Sequence, residues 1–387
     1  MNTKKTVNPL AESNKYTFVA LIAAAVLFVI VRLLVAPGAS KDAKPEGDYV
    51  EYDNGVVTQI LTDSTFEDEA ADGMFRGEQE LLVEVTTGQY KGKTLMTGNY
   101  VGPLYGVPLA VGDRCTLTIS TYDNGDIRAT VYEFDRTLPI AIILLAFIVV
   151  TVLVGGKTGA KSLVGLIFTV LCVFFLLFPA LLKGAPTLPA TFLLCVYVAA
   201  VSFFLLGGVQ KKTLCALAGS TLGMGFALLF ALVSQALLRV NGLRTADVEP
   251  LLQLRQTGTP IGLKGLLAAG VILASLGAVM DVAMSISSAL SEVHAADPSM
   301  DRKALLRSGM NIGRDMVGTM TNTLILAFLG SGLVLVLYIY TIAPQTHQLI
   351  SSAFVATEIV SGISSSIGVI LSVPVTAAVC AAAYSKK

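Results

Sequence analysis

About eight stretches of this chain are apolar for close to the length a helix needs to cross a lipid bilayer. That length is roughly 20 residues. The runs are Thr17 to Val35, Leu138 to Leu153, Leu163 to Leu182, Leu188 to Leu206, Leu214 to Leu238, Leu266 to Leu290, Val317 to Ile342 and Ile363 to Tyr384. The second is short. Inside hydrocarbon a backbone amide has no water to bond, so each run must satisfy its own amides as a helix. Composition agrees with lipid as the solvent. Only 14% of the 387 residues are charged, against about 25% in ordinary soluble proteins. The expected fold is therefore an α-helical polytopic membrane protein with about eight transmembrane helices.

The charge is distributed unevenly. Between Lys41 and Arg136 there are 18 acidic and 8 basic residues, and the rest of the chain holds 9 and 19. A polar, acidic block thus sits inside a basic, apolar chain, which implies two environments and two domains. The predicted organisation is an N-terminal tail and first anchor over residues 1–40, a polar domain over 41–136, and seven further helices over 137–387. The first run has Lys4, Lys5 and Lys15 before it and Ala36, Gly38, Ala39 and Ser40 after it. A cleavable signal peptide has that pattern too, but this apolar run is longer than a usual signal core, which favours an uncleaved anchor. Arg32, near its far end, is expected to snorkel to the interface.

Lysine and arginine in short loops set orientation. With the N-terminus cytoplasmic, the inner segments carry 13 of them, among them Lys157, Lys161, Lys211, Lys212, Arg302, Lys303, Arg307 and Arg314, and the short outer loops carry Lys183, Arg239, Arg244, Arg255 and Lys264. That bias predicts both termini inside and residues 41–136 extracytoplasmic.

The polar block alternates polar and apolar residues in short runs, as strands do. Candidates are Tyr49 to Leu61, Glu80 to Thr86, Gly92 to Tyr100, Arg114 to Ser120 and Ile127 to Phe134, with turns at Thr87 to Tyr90 and Tyr122 to Asp126. Five strands in so short a stretch suit a small all-β barrel of the OB type. The run Glu67-Asp68-Glu69 reads as a solvated loop. Cys115 is alone in this block, so no internal disulfide forms there, and Cys172, Cys195, Cys215 and Cys380 fall in apolar runs. No Cys-His spacing suggests zinc, and no cofactor is implied.

Ionisable residues inside apolar runs are costly, so each is a functional candidate. Asp281 is the clearest, in Leu276-Gly277-Ala278-Val279-Met280-Asp281-Val282-Ala283-Met284-Ser285. Ser285 shares its helical face, being four residues on. Asp315, Thr319 and Asn322 share one face of the next run. At ~1.5 Å per residue, Asp281 lies roughly 13 Å and Asn322 roughly 8–10 Å from the inner ends of their spans. Thr221 and Thr376 reach a similar level. A polar layer of Thr221, Asp281, Asn322 and Thr376 is thus possible, able to hold a cation or relay a proton. The bland alternative is an interhelical anchor, with Asp281 neutral or paired to Arg314 or Asn322. Glu358, a secondary candidate, reads as a dipole-compensating residue at a helix start. His294 and Asp297 read as a solvated loop. No nucleophile-base pair or phosphate loop is present, which argues against an enzyme. Basic residues are spread too thinly for nucleic acid.

Two long stretches resemble the YibE/F-like family of bacterial membrane proteins. One is Gly277-Ala278-Val279-Met280-Asp281-Val282-Ala283-Met284-Ser285-Ile286-Ser287-Ser288-Ala289. The other is Ser308-Gly309-Met310-Asn311-Ile312-Gly313-Arg314-Asp315 with its continuation Gly318-Thr319-Met320-Thr321-Asn322-Thr323. The polar block after the first run is similar to the longer, YibE-type member. The resemblance implies a multi-pass protein of a bacterial plasma membrane, and the paired name implies a related membrane partner or a homo-oligomer. Two functions stay open. One is a transporter for a cation or other small solute, using the polar layer. The other is a non-transporting subunit or sensor whose outer domain binds a partner protein.

Overall fold

A computed structural model describes residues 9–35, 49–122, 126–240, 249–256, 258–263, 265–342 and 345–384. The chain divides into two compact units, Gly38–Thr151 and Met1–Pro37 with Val152–Lys387. The small residues after the first run, 36 and 38–40, lie outside the described residues, as do Arg244 and Lys264.

In the first unit, period-2 alternation closes a barrel. The strands are β1 (Tyr49–Asp63), β2 (Phe66–Asp68), β3 (Met74–Val85), β4 (Thr94–Val101), β5 (Arg114–Thr121) and β6 (Ile127–Phe134). The order β1-β5-β6-β4-β3 returns to β1, and β4–β6 is the parallel pair. Five strands thus make a closed mixed barrel. The length of β1 makes closure possible. Its first half pairs with β5 and its second half with β3, with register shifts between Val57 and Gln59 and between Ile60 and Thr62. Such irregularities bend a strand. Alternate residues point inward, so Leu81, Val83 and Val85 meet Cys115, Leu117 and Ile119 in the core. Closure leaves no free edge among these five strands.

One end of the barrel carries a buried polar plug. The Gln79 carbonyl accepts from Asn99 Nδ2 and from the Leu109 amide, both at 2.9 Å. Its amide donates to Asp63 at 2.8 Å and to the Leu109 carbonyl. The acidic run expected as a loop is ordered instead. Glu67 and Asp68 lie in β2, and Glu69 opens a short 3₁₀ turn. Asp68 accepts from the Ala70 amide and pairs with Arg76, which is why the segment holds together.

The second unit holds the helices: α1 (Pro9–Val35), α2 (Thr137–Cys172, whose start belongs to the barrel unit), a π segment (Val173–Leu177), α3 (Phe178–Leu182), α4 (Thr187–Gly207), α5 (Lys211–Leu238), α6 (Glu249–Gln256), α7 (Leu266–Ala296), α8 (Arg302–Ser331), α9 (Leu333–Ile342), α10 (Thr346–Ile350) and α11 (Ala353–Tyr384). Among the described residues, five runs are long and apolar enough to cross a membrane: Thr137–Leu182, α4, α5, α7 and α11. The count is six if α8 and α9, bent by 61°, form one broken span. The apolar part of α1, Leu21–Leu34, is shorter than the others. The run Thr137–Leu182 covers two of the stretches read from the sequence. Its 46 residues would extend about 69 Å at 1.5 Å each, roughly twice the hydrocarbon thickness. A break inside it falls at Gly156, with φ 55° and ψ −137°, a conformation that glycine tolerates.

Helices α5, α7 and α11 form the centre, with α8 against α11 and α7, and α4 against α7 and α5. Small residues let these backbones approach. A Cβ added to Gly219 of α5 would stand 2.0 Å from Thr376 Oγ1 of α11, and one added to Gly313 of α8 would stand 2.1 Å from Val373 Cγ1. The outer helix surfaces expose Ile143, Leu153, Leu193, Leu229 and Leu237, as lipid-facing surfaces do. Helix α1 docks through Tyr197, whose hydroxyl donates to the Ala24 carbonyl at 2.6 Å. The Arg32 guanidinium lies over the Phe175 ring, 5.5 Å from the centroid.

Candidate intramembrane site

Asp281 lies midway along α7, on a groove of about 310 Å³ between α7, α4 and α2. The α2 wall supplies Lys161, Ser162 and Thr169, and the α4 wall supplies Ser202. Leu273, Leu276 and Met280 complete the α7 side. Helical spacing explains the α2 contribution, because Lys161, Gly165 and Thr169 recur every four residues and share a face. Gly165 leaves room between them, and the Thr169 hydroxyl donates back to the Gly165 carbonyl. No ion pair joins Lys161 to Asp281. The groove is therefore lined by both a carboxyl and an amine that form no ion pair, together with hydroxyls.

The other residues read from the sequence stand elsewhere. Among the described residues, no hydrogen bond or ion pair joins any two of Thr221, Asp281, Ser285, Asp315, Thr319, Asn322 and Thr376. Ser285 is exposed one turn from Asp281. Thr376 is fully buried against Gly219, and its hydroxyl has no partner. Thr221 is half-buried and donates to the Leu217 carbonyl of its own helix. Asp315, Thr319 and Asn322 are all exposed on α8, whose inward face is Leu305, Gly309 and Gly313. Arg314 donates to Asn311, at 3.4 Å, and not to Asp281.

Glu358 is in the second turn of α11, since that helix begins at Ala353, five residues earlier than a dipole-compensating start would need. It lines a separate cavity of about 260 Å³ with Ile325, Phe328 and Leu329. Several serines of α11 donate to backbone carbonyls. Ser361 and Ser366 donate to their own helix, and Ser365 reaches the Val271 carbonyl of α7. His294 is in the last turn of α7, against the Tyr384 ring, and His347 is in α10, so neither lies in a loop. Asp297 caps the loop that follows by accepting from Ser299, which holds its carboxyl below the usual range. Among the described residues there is no group of three or more His, Cys, Asp or Glu that could hold a metal.

Lys161, Ser162, Thr169 and Ser202 were not candidates from sequence. Lys161 counted only toward topology. The four-residue spacing of Lys161, Gly165 and Thr169 was the available signal.

Helices of membrane length, packed through small residues and carrying a polar groove, define a multi-pass membrane protein. A family model described as YibE/F-like protein matches residues 143–386. That is most of the chain, and the chain belongs to this family. No curated protein and no solved structure matches it.

Proposed function

We propose that this protein is a permease of a bacterial plasma membrane for an ion or small solute, with the groove beside Asp281 as its site. One observation supports the reading above others. A carboxylate, an ammonium and three hydroxyls line one groove among helices of membrane length. Charged groups are costly at that depth and are kept where a pathway needs them. The lysine and arginine count supports a cytoplasmic N-terminus and an outer barrel, and the strand order supports an OB-like form for that barrel.

Flux in proteoliposomes tests it. Asp281→Asn and Lys161→Met, each folded as judged by elution and thermal unfolding, should lower flux of the cargo at least about tenfold, equivalent to about 1.4 kcal/mol in a barrier. A panel of cations screened by thermal shift identifies the ligand class, because a ligand bound to the folded state raises the melting point. If both variants leave every flux and every shift at the wild-type value, the groove is not a transport site.

A second reading, a non-transporting subunit or sensor, rests on the barrel. Leu104, Tyr105, Phe75 and Met74 are exposed around a cavity of about 410 Å³ at one rim. Clustered exposed apolar residues mark interaction sites. Deleting residues 41–136 separates the two: a permease core keeps flux, whereas an adaptor loses its partner.

A further inference from the structure

Helix α8 has two unlike faces. Its inward face packs closely, with Gly309 against Ala377 and Leu290 and Gly313 against Val373 and Ile286. Its opposite face carries Asn311, Arg314, Asp315, Gly318 and Asn322, all exposed. This face is level with the middle of the helical unit. Gly309 meets Leu290 and Gly313 meets Ile286, so α8 runs antiparallel to α7. Nine residues beyond Gly313, Asn322 is level with Gly277, near the middle of α7 (Leu266–Ala296). Asp315 is level with Met284 by the same count.

Lipid cannot serve as the partner of such a face, because hydrocarbon satisfies no carboxylate or amide. Among the described residues, Asp315 and Asn322 make no hydrogen bond or ion pair. Something polar must cover them, and the face is its own complement. Arg314 and Asp315 place opposite charges at one level. Asn311 and Asn322 carry amides that both donate and accept. Gly318 lies between them, with open space where a side chain would be, so another backbone can come close. A self-complementary patch is what a twofold, isologous contact requires.

We propose that the Asn311–Asn322 face of α8 is covered in the membrane by the same face of a second copy of this chain. Arg314 of each copy then meets the other copy's Asp315, and the asparagines pair across the axis. This inference stands apart from the transport reading, since it uses no residue of the Asp281 groove.

Cross-linking in membranes tests it on the full chain. Cys115, Cys172, Cys195, Cys215 and Cys380 are all buried, so an introduced surface cysteine reacts against a low background. Gly318→Cys and Asn322→Cys should give a covalent dimer with a short bis-maleimide, while Leu229→Cys on the exposed side of α5 should not. Mass photometry of the wild type in nanodiscs should show a dimer. Asp315→Leu combined with Asn322→Leu should raise its dissociation constant about tenfold. Three results each overturn the proposal: a monomeric wild type in nanodiscs, no dimer from either α8 cysteine, or a product in which α8 is joined only to a different polypeptide.

Discussion

Replacing Gly219 by alanine tests whether the α5–α11 seam is packing or pathway. The added Cβ would stand 2.0 Å from Thr376 Oγ1, 2.9 Å from its Cβ and 3.1 Å from its Cα. Turning the threonine about χ1 removes the first clash and leaves the other two. The two backbones must therefore part. Overpacking of this kind costs about 1–3 kcal/mol, and the 2.0 Å contact argues for the upper half of that range. Alanine also favours the helix over glycine by about 1 kcal/mol, so a net loss of about 1–2 kcal/mol is expected. Gly225 supplies the control. It lies on the same helix with nothing within 4 Å of an added Cβ, so Gly225→Ala keeps only the gain. The two variants should differ by about 2–3 kcal/mol, or roughly 4–12 °C in melting temperature at about 2–4 °C per kcal/mol. Thermal unfolding in nanodiscs at one fixed scan rate measures this. Gly219→Ala with Thr376→Ala should recover part of the loss, because only the Oγ1 clash is removed. If Gly219→Ala matches Gly225→Ala, the seam is loose enough to hold water, and the assignment of Thr376 to packing is wrong.

Gln79→Leu should destabilise the barrel by about 2–5 kcal/mol, since the Asn99 amide and the Leu109 amide lose their acceptor inside the fold; hydrogen exchange of β3 and β4 amides reads it. The Thr65 hydroxyl and amide and the Gln79 amide bond Asp63 and hold its carboxyl below the usual range. A depressed folded-state value contributes stability above the unfolded-state value, lost as pH falls through the folded one, so Asp63→Asn should flatten barrel unfolding below about pH 4 and leave it unchanged in slope at neutral pH. Proteoliposomes in which Gly318→Cys has been cross-linked to completion should retain Asp281-dependent flux, with both measured on one sample; loss of flux on cross-linking, restored by a cleavable linker, would show that the groove works only when α8 moves.

The strands were legible because a half-buried strand alternates. Tyr49, Arg114 and Ile127 begin strands where the pattern begins. Strand β2 was not legible, because three residues carry too little period, and Glu67-Asp68-Glu69, though solvated as it reads, looks like a loop unless Arg76 is known to lie opposite. Apolar length marked the helices but not their ends. The apolar run ends at Leu290, yet α7 continues to Ala296, with His294 of its last turn against the Tyr384 ring. Candidate residues were legible one by one, since a carboxylate in an apolar run stands out. Their grouping was not. Depth can be counted along a helix, but the direction a residue faces depends on which neighbours surround it. Lys161 shows the same limit from the other side: between two apolar runs it looks like a topology signal, and only the packing of α2, α4 and α7 puts it on the same groove as Asp281.

Three polar groups that counting along the sequence puts at similar depth therefore have three different surroundings. Thr376 is sealed between α5 and α11, where the gap is too small for a methyl group on Gly219. Asp281 opens on the groove shared with α2 and α4. Asp315 and Asn322 face away from the chain on α8. The geometry of α7 explains why the last two do not meet. Helix α8 contacts it at Ile286 and Leu290, five and nine residues beyond Asp281. At about 100° per residue these lie about 140° and 180° around the helix from Asp281. The groove and the α8 face are thus on opposite sides of α7. A twofold axis between two α8 faces would leave one complete groove on each protomer, distant from the contact. Association there can stabilise the polar face of α8 without closing either groove, so the two proposals do not compete for the same residues.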